Sequence, residues 1–143
     1  MSAYYDEMTV HFSAKSENEG FARLCAAAFT MRLDPSVNDL EDVKTAVSEA
    51  VTNAIIHGYK EAGEGKTVTM KCALKDRDLT IIVTDAGCGI ESVEQAREPL
   101  YTSKPELERS GMGFTIMETF MDSVTVESVS GQGTVVIMTK TFA

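Results

Sequence analysis

The stretch that most constrains this chain is Glu49-Ala50-Val51-Thr52-Asn53-Ala54-Ile55-Ile56-His57-Gly58, inside its longest helix-like segment. Val47, Ala50, Val51, Ala54 and Ile55 recur at the spacing of a helix face that packs into a core. Glu49, Asn53 and His57 are spaced four apart, so they form a polar stripe beside that face. A carboxylate and a carboxamide one turn apart can serve a single ligand. The carboxylate can take a proton while the amide oxygen coordinates a hard cation such as Mg²⁺. A solvated helix edge has the same pattern, so the rest of the chain has to decide between the two.

At 143 residues the chain suits one domain, residues 1–143, with a single core. Hydrophobic residues make up 43% and charged residues 24%, a globular balance. The formal net charge of −9 argues against direct binding to nucleic acid, which needs a basic face. Cys25, Cys72 and Cys88 contain no CxxC, and His11 and His57 supply no zinc-ligand cluster. Reduced thiols are expected. The polar, acidic start from Met1 to Met8 is unlike a signal peptide, and no apolar run approaches a membrane span. A cytoplasmic protein with no membrane partner is the expectation.

Taken in order, the chain predicts an edge strand over Met8–Ser13, then a helix from about Asn18 to Leu33. Phe21, Leu24, Cys25, Ala28 and Met31 read as the core stripe of that helix, with Arg23 and Arg32 facing out. Asp34-Pro35 stops it, and Ser36 caps a second helix that Gly58 ends. Thr67–Leu74 and Leu79–Thr84 read as a hairpin, Glu91–Glu98 as a short helix, and Gly113 to about Met121 as another helix. Ser123–Ser128 and Thr134–Thr141 are two further strands around a glycine turn. The fold class is α/β: a two-layer sandwich with helices on one face of a sheet.

Three glycine motifs follow the polar helix stripe. Asp85-x-Gly87-x-Gly89 sits where a strand ends; its glycines admit a flat ligand, and the carboxylate can accept from an amino group. Ser110-Gly111-Met112-Gly113 opens a helix, so bare backbone N–H groups face one spot where an anion is favoured. Gly131-x-Gly133-Thr134 places a hydroxyl at the start of the last strand. Each alone also fits an ordinary turn or helix entry. Between the first two runs a polar segment, residues 99–113, too long for a mere connector and carrying Lys104 and Arg109. His57 could touch a phosphate or simply close the helix end, and Cys88 reads as a small filler.

The order of these motifs resembles the N, G1, G2 and G3 boxes of the GHKL nucleotide-binding superfamily, the Bergerat fold. Within it, Val47–Tyr59 and Lys104–Glu118 resemble the anti-sigma serine kinases of sporulation, as do Phe12-Ser13-Ala14 and Phe21-Ala22-Arg23. Ala86 departs from that pattern, where an acid is expected, but at a variable position. The resemblance implies a mixed, mostly antiparallel sheet. It implies ATP and Mg²⁺ as cofactors, with Asn53 holding the metal, Asp85 and Thr134 reading adenine, and the glycines Gly87 and Gly89 lining the site. Backbone amides of Gly111, Met112, Gly113 and Phe114 would cradle the phosphates beneath a lid bearing Lys104. Glu49 would be the catalytic base, and Arg109 would stabilise the transferred phosphoryl group. The implied protein partners are a sigma factor of the sigma F type and an anti-anti-sigma factor phosphorylated on serine. The protein would act as a homodimer, and Arg23 is a candidate partner contact. A non-catalytic, ATP-gated binding module is the alternative that the same boxes allow.

Overall fold

Two strand-forming runs joined by a tight turn set the frame. The computed structural model describes residues 6–58, 66–87, 113–129 and 132–143. In it, β2 (Thr67–Lys75) and β3 (Asp78–Asp85) pair antiparallel, with Lys75 opposite Asp78. Asp76 in the turn has a φ of 54°, a left-handed conformation that aspartate tolerates. On one side β1 (Asp6–Ser13) pairs with β2. On the other, β5 (Gly133–Thr141) pairs with β3, and β4 (Ser123–Val129) lies outside β5. The order is β1-β2-β3-β5-β4, and every pairing is antiparallel. β1 lies at an edge, as its alternation predicts.

Among the described residues three α-helices cover one face: α1 (Glu17–Thr30), α2 (Val37–Asn53) and α3 (Gly113–Phe120). α2 packs between the other two. Its start is where Ser36 predicts it: the Ser36 hydroxyl accepts a hydrogen bond from the Asp39 N–H at 3.1 Å. Its end differs from the single α-helix expected through Gly58. After Asn53 the backbone widens into one π-helical turn, Ala54–Gly58, a local irregularity often found at functional sites. The expected helix over residues 91–98 and the lid over residues 99–113 lie outside the described residues, except Gly113 at the start of the next helix.

The registers stack the helix-facing side chains in rows across the strands. Met8, Cys72, Ile81, Met138 and Val124 form one, and Val10, Met70, Val83, Val136 and Val126 the next. These rows and the α2 residues Val43, Val47 and Val51 belong to one core. Among the described residues Cys25 and Cys72 are free thiols. Burial, and then the nearby Cys25, push Cys72 up to about 12, so it stays a neutral filler.

α1 does not bury the face its spacing predicts. Phe21, Leu24 and Met31 are more than half exposed, whereas Ala22, Ala26, Phe29 and Thr30 are buried. The physical reason is close approach. α1 lies against α2, whose buried face includes Ala46 and Ala50, and small residues on both helices let the axes come near. The turn of α1 that satisfies this contact buries Phe29 and carries Phe21, Leu24 and Met31 to the outside.

Candidate functional site

The row nearest the C-terminal end of β3 breaks the apolar pattern. It reads Phe12, Val68, Asp85, Thr134, Ser128, one residue from each strand. Asp85 and Thr134 are 6% and 2% exposed, so a carboxylate and a hydroxyl are buried at positions that are apolar in the two rows before them. Such groups persist in a core only when bonded. The Asp85 Oδ1 accepts from the Gly87 N–H at 2.9 Å, and the carboxylate also accepts from the Thr134 N–H. Burial raises the Asp85 pKa above the ordinary aspartate value, and these two N–H groups oppose the rise.

Gly133 makes the juxtaposition possible. Its φ is +115°, and a Cβ there would lie 2.2 Å from the Asp85 carbonyl oxygen and 2.9 Å from the Ala86 Cα. Only glycine lets β5 begin this close to the end of β3. Beside Thr134, the Ser128 hydroxyl donates to the Gly133 carbonyl at 3.1 Å and lies 3.0 Å from the Thr134 Oγ1. Ser128 belongs to none of the sequence motifs. The one signal for it was register: counting back across the glycine turn pairs Ser128 with Thr134.

The helix layer brings the polar stripe to the same end of the sheet. Glu49 and Asn53 are both half-buried on the last turns of α2, and the π turn that follows packs against β3 and β5. α3 begins at Gly113 and packs on α2, and Phe114 is buried in the core. Gly89, Lys104, Arg109, Gly111, Met112, Cys88 and the His57 side chain lie outside the described residues. Among the described residues no three His, Cys, Asp or Glu side chains cluster as a metal cage. Asn53 offers one hard oxygen, which fits a Mg²⁺ ion held mainly by phosphate oxygens and water.

Arg23, expected on the outer face of α1, lies at the seam with α2. Its Nη1 donates to the Glu19 Oε1 at 3.2 Å and to the Ser48 Oγ at 3.1 Å, and Ser48 also bonds Glu19. The guanidinium remains 40% exposed, next in sequence register to Glu49 on the facing helix. Chemically, the site therefore offers a buried carboxylate and a buried hydroxyl in one rung of the sheet, and a carboxylate and an amide on one helix edge.

Residues 12–140 match the histidine kinase-like ATPase domain family. The chain is 59% identical over 138 residues to the anti-sigma F factor of Clostridium acetobutylicum, covering 96% of this chain and 95% of that protein. It is 60% identical over 135 residues to the anti-sigma F factor of Clostridium perfringens, covering 94% and 96%. The RsbU and RsbW domains of a Mycobacterium tuberculosis protein superpose with a TM-score of 0.66 at 17% identity, over 96% of this chain and 32% of that one. The catalytic domain of the histidine kinase ThkA superposes with a TM-score of 0.57 at 16% identity, over 94% and 96%. Both superpositions concern the fold.

Proposed function

The chain belongs to the histidine kinase-like ATPase family, among the anti-sigma F factors, and from that premise we propose that it is an ATP-dependent serine protein kinase that also restrains a sigma factor. Its substrate is an anti-anti-sigma factor, phosphorylated on serine, and its inhibited partner is a sigma factor of the sigma F type. The observation that carries the nucleotide part is the polar row: Asp85 and Thr134 are buried together next to two apolar rows.

The adenine ring enters that row and its amino group donates to the Asp85 carboxylate. Asn53, one helical turn beyond Glu49, would hold Mg²⁺ through its side-chain oxygen, and the ion would supply neutralisation of phosphate charge. The backbone amides of Gly111, Met112, Gly113 and Phe114 hold the phosphates. A serine oxygen of the substrate then attacks the γ-phosphorus as its proton passes to Glu49. The bond from that phosphorus to the β–γ bridging oxygen breaks, and ADP leaves. Lys104 and Arg109 offset charge on the transferred group. Most of the acceleration comes from positioning and electrostatics, since phosphoryl transfer asks little covalent chemistry of the protein. Arg23, half-exposed at the α1–α2 seam, would contact a protein partner, and a homodimer would be the working assembly.

The test is transfer of label from γ-radiolabelled ATP to the anti-anti-sigma factor. Glu49→Ala is expected to lower transfer about 10²- to 10⁴-fold with ATP still bound. Wild-type protein that binds ATP and the sigma factor but never labels the substrate would leave a nucleotide-gated binding module instead.

A further inference from the structure

The helix-facing side of β5 begins and ends with a polar side chain. It runs Thr134, Val136, Met138, Lys140, and the two middle residues are buried and apolar. Thr134 lies in the polar row, so Lys140 stands about 20 Å away at the opposite end of the strand, at roughly 3.3 Å of rise per residue. A lysine turned toward a core needs partners for its ammonium group. The Lys140 side chain is 12% exposed; its Nζ donates to the Phe120 carbonyl at 3.1 Å and lies 4.0 Å from the Asp42 Oδ2 on α2. Phe120 is the last residue of α3, where carbonyls lack helical partners and a positive charge is favoured. The chain that follows is fastened to the same strand. The Asp122 N–H donates to the Thr139 carbonyl at 2.8 Å, and the Asp122 carboxylate accepts from the Thr141 N–H at 2.6 Å.

We propose that Lys140, outside the nucleotide motifs, is a positioning residue: it anchors the far end of α3 and so sets where the first amides of that helix meet the phosphates. This rests on the reading that those amides hold the phosphate chain. Base and phosphates are then held by different bodies, the base by β3 and β5 and the phosphates by a helix that packs on α2. The eight residues of α3 span about 12 Å, so a shift at Phe120 carries through the rigid helix to Gly113. β5 fixes the distance between the two bodies, because it bears Thr134 at one end and grips α3 through Lys140 at the other. Phosphoryl transfer is sensitive to that distance, since a misplacement of about 1 Å can cost on the order of a hundredfold in rate.

The experiment measures the affinities of ATP and of adenosine, which lacks the phosphates, for the full chain and its variants by calorimetry. Lys140→Met keeps the aliphatic stem and removes the charge and the donor. Its ATP affinity is expected to fall about three- to tenfold while adenosine binds as before, so the ATP-to-adenosine ratio falls by the same factor. A merely structural role would lower the unfolding temperature and leave that ratio alone, so an unchanged ratio in Lys140→Met overturns the proposal. Lys140→Arg restores a cation and donors and is expected to recover most of the ratio; recovery no better than with methionine also counts against it. Should Lys140→Met not fold, Asp42→Asn loosens the same lysine from the α2 side and is expected to lower the ratio about twofold, with no change overturning the proposal. The wild-type protein separates the failures. ATP bound no tighter than adenosine removes the phosphate reading, and the proposal with it, whereas a clear preference for ATP that survives in Lys140→Met removes the anchor alone.

Discussion

Along β3 and β5 the same face of the same sheet does two different things within two residues. Ile81 with Met138, and Val83 with Val136, are cross-strand pairs that close an aliphatic core. One step on, Asp85 with Thr134 occupies the equivalent position and is nearly as buried. The aliphatic rows stabilise by removing apolar surface from water. The polar row gives up that gain and adds a desolvated carboxylate, held by the Gly87 and Thr134 N–H groups. A fold keeps such a row where a ligand needs it. The two kinds of row differ by one rung, and the polar rung also needs the positive φ of Gly133 at the start of β5.

Substitutions can widen or erase that difference. The largest effect on stability is expected from Ile81→Ala in the aliphatic row, about 2–5 kcal/mol by urea unfolding. Gly133→Ala, at the junction, forces a Cβ against the Asp85 carbonyl in a positive-φ conformation. It is expected to cost about 2–4 kcal/mol and also to abolish nucleotide binding, as it moves Thr134 away from Asp85. Asp85→Asn should behave in the opposite sense. ATP affinity falls about tenfold or more, while the free protein unfolds no more easily at neutral pH.

That last outcome follows from linkage. The folded-state pKa of Asp85 lies above its unfolded value because burial penalises the charge. The cost to folding is absent below the unfolded pKa, grows as pH rises toward the folded pKa, and is complete above it. Above the folded pKa the full penalty applies, and the asparagine removes it. The same shift makes ATP binding weaken on acidification at a higher pH than an unperturbed aspartate would require, because protonated Asp85 is no longer a pure acceptor. Calorimetric titration across the acidic range checks this, and Asp85→Asn should flatten the profile. The smallest effect is expected at Phe21→Ser, within about 0.5 kcal/mol of wild type in the isolated chain, because the side chain is 65% exposed. A loss of several kcal/mol would restore Phe21 to the core.

Phe21 also marks where the sequence could be read and where it could not. On α2, apolar residues at positions 43, 47 and 51 have a single consistent face, polar residues fill the opposite one, and the structure buries that face. On α1 two apolar faces compete: Phe21, Leu24, Cys25, Ala28 and Met31 against Ala22, Ala26, Phe29 and Leu33. Side-chain size favours the first, and helix–helix distance favours the second. The structure adopts the second because α2 already presents small residues to it. Arg23 was displaced for the same reason, turning from the outer surface to Ser48 at the seam.

The amino-acid sequence by itself determined the elements and the chemistry. Ser36 as a helix cap, the hairpin at Asp76, the pairing of strands around Gly133, and the Glu49–Asn53 stripe are all local, since each depends on spacing within a few residues. The motif order likewise carried the family. Tertiary structure alone decided which face of α1 is inside, the π turn after Asn53, and the meeting of Asp85, Thr134 and Ser128 in one rung. Those depend on residues far apart in the chain approaching to hydrogen-bond distance. Helical or strand period fixes only where a side chain points, and the neighbour it meets is set by packing.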